Sequence, residues 1–381
     1  MNSTPFVYGK IADRENFTNR EADAAYLTNN FKGLINSVII SPRRWGKTSL
    51  VNKVIALFAE NNEYIICRVD IFNCRTEEQF YTSLANAVLK ASFSVWEEFV
   101  AGSKTYLSRM LPKIALTDGM QNYELSFGID FTDRQLSVDE ILDLPQKIGV
   151  DKNKKVIVCI DEFQNINEYP DTIGFQQKLR AHWQLHTRVC YCLFGSKRHM
   201  LLDIFNNYAM PFYKFGDILF LQKIAREDWI SFISQRFSDT GKYIDNELCG
   251  RIADLVKNHP YYVQQLSQQV WLRTTTHCNE SIVGEAFESL VNQLSLLFSN
   301  LIDSLTTKQI SFLAAIAKGE RAFSSKAVLN EYNLGTSANI KNLRKAVLDK
   351  DIIDILPGEK IELQDPLFEY WLLNCYLGGT R

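Results

Sequence analysis

The sequence lacks any apolar run approaching the ~20 residues that a helix needs to cross a bilayer, which excludes a helical membrane span. Met1 to Lys10 lacks the apolar stretch of a secretory signal, so the chain is expected to stay in the cytoplasm. A charge excess of either sign is also missing. Lysines and arginines number 42 against 44 acidic residues, a formal net charge of -2, and nothing global marks a binder of nucleic acid or acidic membranes. No pair among the eight cysteines (67, 74, 159, 190, 192, 249, 278 and 375) has C-x-x-C spacing, which argues against a zinc ribbon or a thioredoxin-type site. Cys159, Cys190 and Cys192 sit inside apolar runs and are expected as small core residues. Internal repeats and low-complexity segments are absent.

What is present is ordinary globular material. Apolar residues make up 46% and charged residues 23%, and 24 Phe, 16 Tyr and 6 Trp supply ample core, so disorder over most of the chain is excluded. At roughly 150 residues per domain, the 381 residues suggest two or three domains.

Strand-length apolar runs alternate with helical patterns up to about residue 221. Val38 to Ile40, Tyr64 to Asp70, Val156 to Ile160, Val189 to Phe194 and Ile218 to Leu221 are predicted strands. The third is continuously apolar, as a parallel strand covered on both faces should be. Helical spacing follows the first strand from Leu50 to Phe58 and the second from Phe80 to Phe93. Strand–helix alternation of this kind predicts an α/β domain with a parallel sheet over 1–221. An insert at about 95–135 interrupts it, where Tyr123, Leu125, Phe127, Ile129 and Phe131 alternate and predict one or two extra strands. From 222 to 300 the pattern is helical throughout. From 301 to 381, helices at Ile310–Ala317, Lys326–Tyr332 and Ile340–Leu348 precede two short apolar runs flanking Pro357-Gly358, a winged-helix layout.

The chemistry-bearing motif lies between the first strand and the first amphipathic helix. Ser41-Pro42-Arg43-Arg44-Trp45-Gly46-Lys47-Thr48 fits the Walker A pattern G-x-x-x-x-G-K-[ST] at every fixed position but the first, where Ser41 stands. Backbone N–H groups of such a turn, with the helix N-terminus behind them, point at phosphates. Lys47 would reach the β- and γ-phosphates, the Thr48 hydroxyl would ligate Mg²⁺, and Gly46 lets the backbone approach closely. Trp45 and Ser49 complete the nucleotide-binding set, with Arg43 and Arg44 projecting from the loop. The run Val156 to Ile160 then delivers Asp161 and Glu162, a Walker B arrangement in which Asp161 would hold Mg²⁺ and Glu162 would orient and polarise the attacking water. The two motifs in this order point to a P-loop NTPase.

At these residues the chain resembles the archaeal-type ATPase-domain proteins of the AAA+/STAND group. The resemblance covers nearly its whole length and is carried by Phe17-Thr18-Asn19-Arg20-Glu21, Pro42 to Leu50, Ile160 to Gln164, Phe194-Gly195-Ser196, Pro211-Phe212-Tyr213 and His259-Pro260-Tyr261. It implies an ASCE-type sheet with the fourth strand between the two Walker strands, followed by a helical lid and a winged helix. It implies ATP rather than GTP, in keeping with the lack of an N-K-x-D guanine motif (Asn153-Lys154-Lys155-Val156 has no aspartate). It also implies that Phe17, Thr18 and Arg20 line the adenine pocket and that Ser196 is a polar sensor of the γ-phosphate or the attacking water. His259 and Pro260 stand where STAND relatives carry a G-x-P lid element touching nucleotide, with Asn258 in the glycine's place.

Two arginines, Arg180 and Arg198, are candidates for a finger acting in trans at a subunit interface. In the winged helix, Lys341, Arg344, Lys345 and Lys350 would meet DNA phosphates, but residues 301–381 hold ten basic and ten acidic side chains, with Glu359, Glu362 and Asp365 at the hairpin. A partner-binding or lid-packing module is therefore the favoured reading of this domain, and DNA the alternative. The expected activity is that of an ATPase binding ATP or ADP with Mg²⁺ and hydrolysing ATP slowly as a conformational switch. Its partner would be an unidentified protein or a second copy through self-association. The alternatives are an ATP-gated DNA binder of the origin-recognition style and a nucleotide-bound scaffold with little turnover.

Overall fold

The computed structural model describes residues 4–10, 19–93, 110–116, 123–129 and 134–378. They form two units, one of Arg20–Gln222 and the other of Met1–Asn19 with Lys223–Arg381. The residues Phe17 and Thr18, named for the adenine pocket, lie outside the described residues.

The first unit runs α1 (Glu21–Lys32), β1 (Ser37–Ile40), α2 (Lys47–Ala59), β2 (Tyr64–Asp70), α3 (Glu77–Ser92), β3 (Met110–Leu116), β4 (Tyr123–Ile129), α4 (Arg134–Asp151), β5 (Lys155–Asp161), a 3₁₀ turn (Phe163–Glu168), α5 (Thr172–Trp183), β6 (Val189–Gly195), α6 (Arg198–Asn206) and β7 (Asp217–Phe220). Five strands make a parallel sheet in the order β2-β5-β6-β1-β7. The strand ending at Gly195 lies between those ending at Ile40 and Asp161, as the resemblance implied. Burial explains the central place of β6: all seven of its residues are buried, so it needs a neighbour on each edge and cover on each face. β3 and β4 pair antiparallel, which accounts for the alternating pattern found in the insert.

Local signals set the helix starts. The helix predicted from Phe80 begins one turn earlier because the Thr76 hydroxyl accepts the Gln79 N–H and caps it. The Asp171 carboxylate caps α5 by accepting from Gly174 N–H at 3.0 Å.

The second unit contains α7 (Arg226–Ser238), α8 (Asn246–Leu255), α9 (Pro260–Arg273), α10 (Glu280–Asp303), α11 (Thr307–Ala317), α12 (Lys326–Glu331), α13 (Ser337–Asp349), β8 (Ile353–Ile355), β9 (Ile361–Leu363) and α14 (Pro366–Trp371). The last strands pair antiparallel, Ile353 opposite Leu363, around a turn with Gly358 at φ 77°. α10 passes residue 300 without a break, and its Phe298 packs on Phe368 and Trp371 with ring centroids 5.5 and 5.8 Å apart. One apolar cluster, from Phe6 and Trp229 to Leu372, serves the whole unit. Phe6, far away in sequence, joins it against Phe232 and Phe237. α14 went unforeseen; Asp365 starts it by accepting from the Leu367 and Phe368 N–H groups, with Pro366 in the first turn.

Six of the cysteines are buried free thiols, Cys278 is half-buried and Cys375 exposed, and burial pushes the Cys67, Cys190 and Cys192 thiols well up. That is the inert core behaviour expected of the strand cysteines. Among the described residues no helix is long and apolar enough to cross a membrane.

Candidate functional site

The C-terminal ends of β1, β5 and β6 bring three turns together, the place where open α/β sheets hold ligands. After β1 the chain turns through Arg44 at φ 64° and Gly46 at φ 89°, and Lys47 starts α2. Gly46 sits in the left-handed region that favours glycine. Ser41 does not: it keeps an ordinary negative φ, is fully buried, and donates its hydroxyl to the Pro42 carbonyl at 3.2 Å. The backbone at position 41 therefore does not require a glycine.

Lys47 is 7% exposed. Burial lowers its ammonium pKa, the Glu162 and Asp161 carboxylates pull it back up, and Arg43 pushes it down again. The Thr48 hydroxyl donates to Asp161 Oδ2 at 3.2 Å, so the helix that follows β1 and the end of β5 meet at one point. Burial drives the Asp161 carboxyl up to about 6, against the pull of Lys47 and with the help of the neighbouring Glu162 charge. Glu162 turns the chain sharply at φ 54°, with its N–H on Asp161 Oδ1 at 2.8 Å. Its Oε2 accepts from Gln164 Nε2 at 2.5 Å and from Ser196 Oγ at 2.9 Å. Burial alone would raise this carboxyl, but the Gln164 bond, the Lys47 charge and the Ser196 bond outweigh it and hold Glu162 below the usual carboxylate range. A carboxylate kept ionised beside a buried lysine can accept a proton or orient water.

The remaining predicted residues fall in different places. Arg43 and Arg44 are exposed, Trp45 is half-buried and Ser49 is buried at the start of α2. Arg20 is buried; it pairs with Asp23 at 3.2 Å and donates to the Trp45 carbonyl at 3.3 Å, so it braces the phosphate loop through its backbone. Arg180 lies over the Phe215 ring at 5.0 Å and Arg198 over Phe220 at 5.7 Å, so each guanidinium rests on an aromatic ring of its own unit. In the second unit, His259 is buried against Tyr262, ring centroids 4.9 Å apart, and precedes Pro260 at the start of α9. Asn258, in the place of the G-x-P glycine, adopts φ 56°, a left-handed turn that asparagine tolerates.

Sequence reasoning gave Gln164 and Gly195 no role, although both lie inside quoted motif segments. It also missed a polar cluster at the far end of the sheet. There His182 Nδ1 is 2.8 Å and His186 Nε2 3.2 Å from Asp143 Oδ1, and His186 Nδ1 is 2.8 Å from the Tyr191 hydroxyl. The i, i+4 repeats Asp139/Asp143 and His182/His186 were its only signal. Among the described residues no group of three or more His, Cys, Asp or Glu side chains could hold a metal ion.

Sheet order, loop and carboxylates define a P-loop NTPase fold, joined in the same chain to a winged helix. Residues 45–169 match the KAP family P-loop domain, and residues 296–374 match the "Probable winged helix domain" family. No curated protein matches the chain. Among solved structures it is similar to a Walker-type ATPase of Pyrococcus abyssi, with 16% identity, a TM-score of 0.67 and coverage of 97% of this chain and 99% of that one. It is also similar to the ORC2 protein of Aeropyrum pernix in its ADPNP-ADP complexes, with 14% identity, a TM-score of 0.55 and coverage of 98% and 99%. At these identities the likeness is one of fold.

Proposed function

We propose that this chain binds ATP with Mg²⁺ and hydrolyses it slowly, and that nucleotide state switches its conformation. The observation that carries this reading is the convergence of Lys47, Thr48, Asp161, Glu162 and Ser196 through direct hydrogen bonds and charge interactions. The lysine would offer charge to the β- and γ-phosphates, and backbone N–H groups of the Gly46 turn would cradle them. Glu162 accepts the proton of an attacking water or orients it, and Ser196 holds that carboxylate in place. The residues fit a divalent cation: a hydroxyl and a carboxylate lie side by side, and Asp161 is a carboxylate whose ionisation burial opposes, so a cation beside it would relieve that opposition. When bound, Mg²⁺ would neutralise phosphate charge at Thr48 and Asp161.

The adenine would lie near Arg20, and the unit after residue 222 would supply the lid, with His259 and Pro260 as its nucleotide-responsive element, and the winged helix beyond. A protein partner or a second copy is favoured over DNA as the winged helix's contact. Arg344 is 3.8 Å from Glu359 and Lys345 3.6 Å from Asp349, so acids neutralise much of the basic face of α13.

The test is multiple-turnover phosphate release with ATP binding measured alongside. Lys47→Ala should weaken ATP binding strongly. Glu162→Gln should keep binding and slow release by roughly 10²–10⁴, the range for loss of a general base. Scattering profiles with and without saturating ATP and Mg²⁺ should differ. Wild-type release by Glu162→Gln would remove the hydrolytic role, and identical profiles would leave a rigid scaffold.

A further inference from the structure

We infer that Gln164 is a positioning residue for Glu162, and that residue 195 is glycine to make room for it; this rests on the hydrolytic reading above. Gln164 lies two residues after Glu162, in the 3₁₀ turn that the left-handed Glu162 initiates. It is 1% exposed, and its carboxamide nitrogen donates to Glu162 Oε2 at 2.5 Å. Ser196, from the turn after the neighbouring strand, donates to the same oxygen at 2.9 Å. Two donors on one carboxylate oxygen fix the plane of the group. Oε1 takes no part in either bond and is the oxygen left to meet water. A general base must be held within a fraction of an ångström of its productive place, and a glutamate with three rotatable bonds does not hold itself.

A second observation concerns the other end of the same carboxamide. Gln164 Oε1 is buried and has no hydrogen-bond partner among the described residues. The position of that oxygen explains Gly195. The glycine does not occupy the left-handed region, so its backbone would accept any residue, yet a Cβ there would sit 1.7 Å from Gln164 Oε1. The end of β6 is stripped of its side chain where the carboxamide passes on its way to Glu162.

The test uses the full chain and compares kcat, KM and ATP affinity for wild type, Gln164→Met, Gly195→Ala, Glu162→Gln and the Gln164→Met/Glu162→Gln pair. Gln164→Met should lower kcat about 10–100-fold, the loss expected from misplacing a reacting group by about 1 Å, with ATP affinity within about two-fold of wild type. It should add nothing in the Glu162→Gln background, because Gln164 acts only through that carboxylate. Its melting temperature should fall only modestly, since Ser196 still donates to the Glu162 carboxylate, and the fold should stay intact while kcat drops. Gly195→Ala should repeat the kcat loss by pushing the carboxamide aside. Unchanged kcat in Gln164→Met, an equal loss with and without Glu162, or a parallel loss of ATP affinity would each overturn the proposal. Equal turnover by wild type and Glu162→Gln would overturn the hydrolytic reading itself, an outcome distinct from the other three.

Discussion

The Arg20 guanidinium donates to the carbonyl of Trp45 at 3.3 Å, across 25 residues of sequence, and thereby ties the start of α1 to the middle of the phosphate loop. Arg20 is 6% exposed, burial lowers its pKa, and Asp23 compensates by charge and hydrogen bond. In the function proposed above the loop's backbone would hold phosphate, so a bond that fixes the Trp45 carbonyl would help set its geometry.

Arg20→Ala should therefore loosen the loop without touching a phosphate. The expected outcome is a loss of about 1–3 kcal/mol in stability, the scale for an unmade buried hydrogen bond, and ATP affinity weaker by about 3–10-fold. Arg20→Lys should not restore both, since a single ammonium cannot reproduce the fork that reaches Asp23 and Trp45 together. Thermal melts with calorimetric titration of ATP check this. Wild-type affinity in Arg20→Ala would show the brace to be idle.

The Asp161 carboxyl gives a prediction in which the site works against the fold. Its pKa rises from 3.8 to about 6 on folding, chiefly through burial. The folded state then holds the proton more tightly than the unfolded chain, so stability falls as pH rises from about 4 to 6 and stays low above that. Asp161→Asn removes the ionisation. It should stabilise the nucleotide-free protein at pH 7.5 by about 1–3 kcal/mol, on the scale of 1.4 kcal/mol per pKa unit. The gain should shrink toward pH 4 and be accompanied by loss of Mg²⁺-dependent ATP binding. Melting curves at several pH values would refute it if the asparagine variant gained nothing at pH 7.5.

His186 predicts the opposite slope. Burial lowers its pKa despite the Asp143 carboxylate, while that carboxylate is itself held below its ordinary value by bonds from His182 and His186 that outweigh its burial. The unfolded chain takes up a proton near pH 6.5 that the folded His186 resists, so stability is lost as pH falls below that value, and Asp143 adds a further loss at lower pH. His186→Gln should flatten the stability profile between pH 7 and 5.5. An unchanged slope in denaturant titrations would place the acid sensitivity elsewhere.

The sequence by itself determined most of the elements and the place of the Gly46-Lys47-Thr48 turn at a strand–helix junction. A continuous apolar run as short as Val156 to Ile160, inside a strand–helix alternation, reads as a strand covered on both faces, and the helical spacing from Leu50 places a helix directly after the Gly-Lys-Thr. A single capping side chain moved one helix start, at Thr76, and began a helix that periodicity did not show, at Asp365. Periodicity is blind to such caps, because one hydrogen bond rather than a repeating pattern sets them.

Contacts across sequence distance were decided only by the tertiary structure. Arg20 carries the same letters whether it lines a base or braces Trp45, and nothing in the letters of Arg180 and Arg198 puts Phe215 and Phe220 beneath them. Gln164 and Gly195 stand 31 positions apart in number, and nothing in either residue says that one leaves room for the other. That relation exists because β5 and β6 pair in parallel and bring their final turns to the same edge of the sheet, where side chains from different strands compete for the same few cubic ångströms.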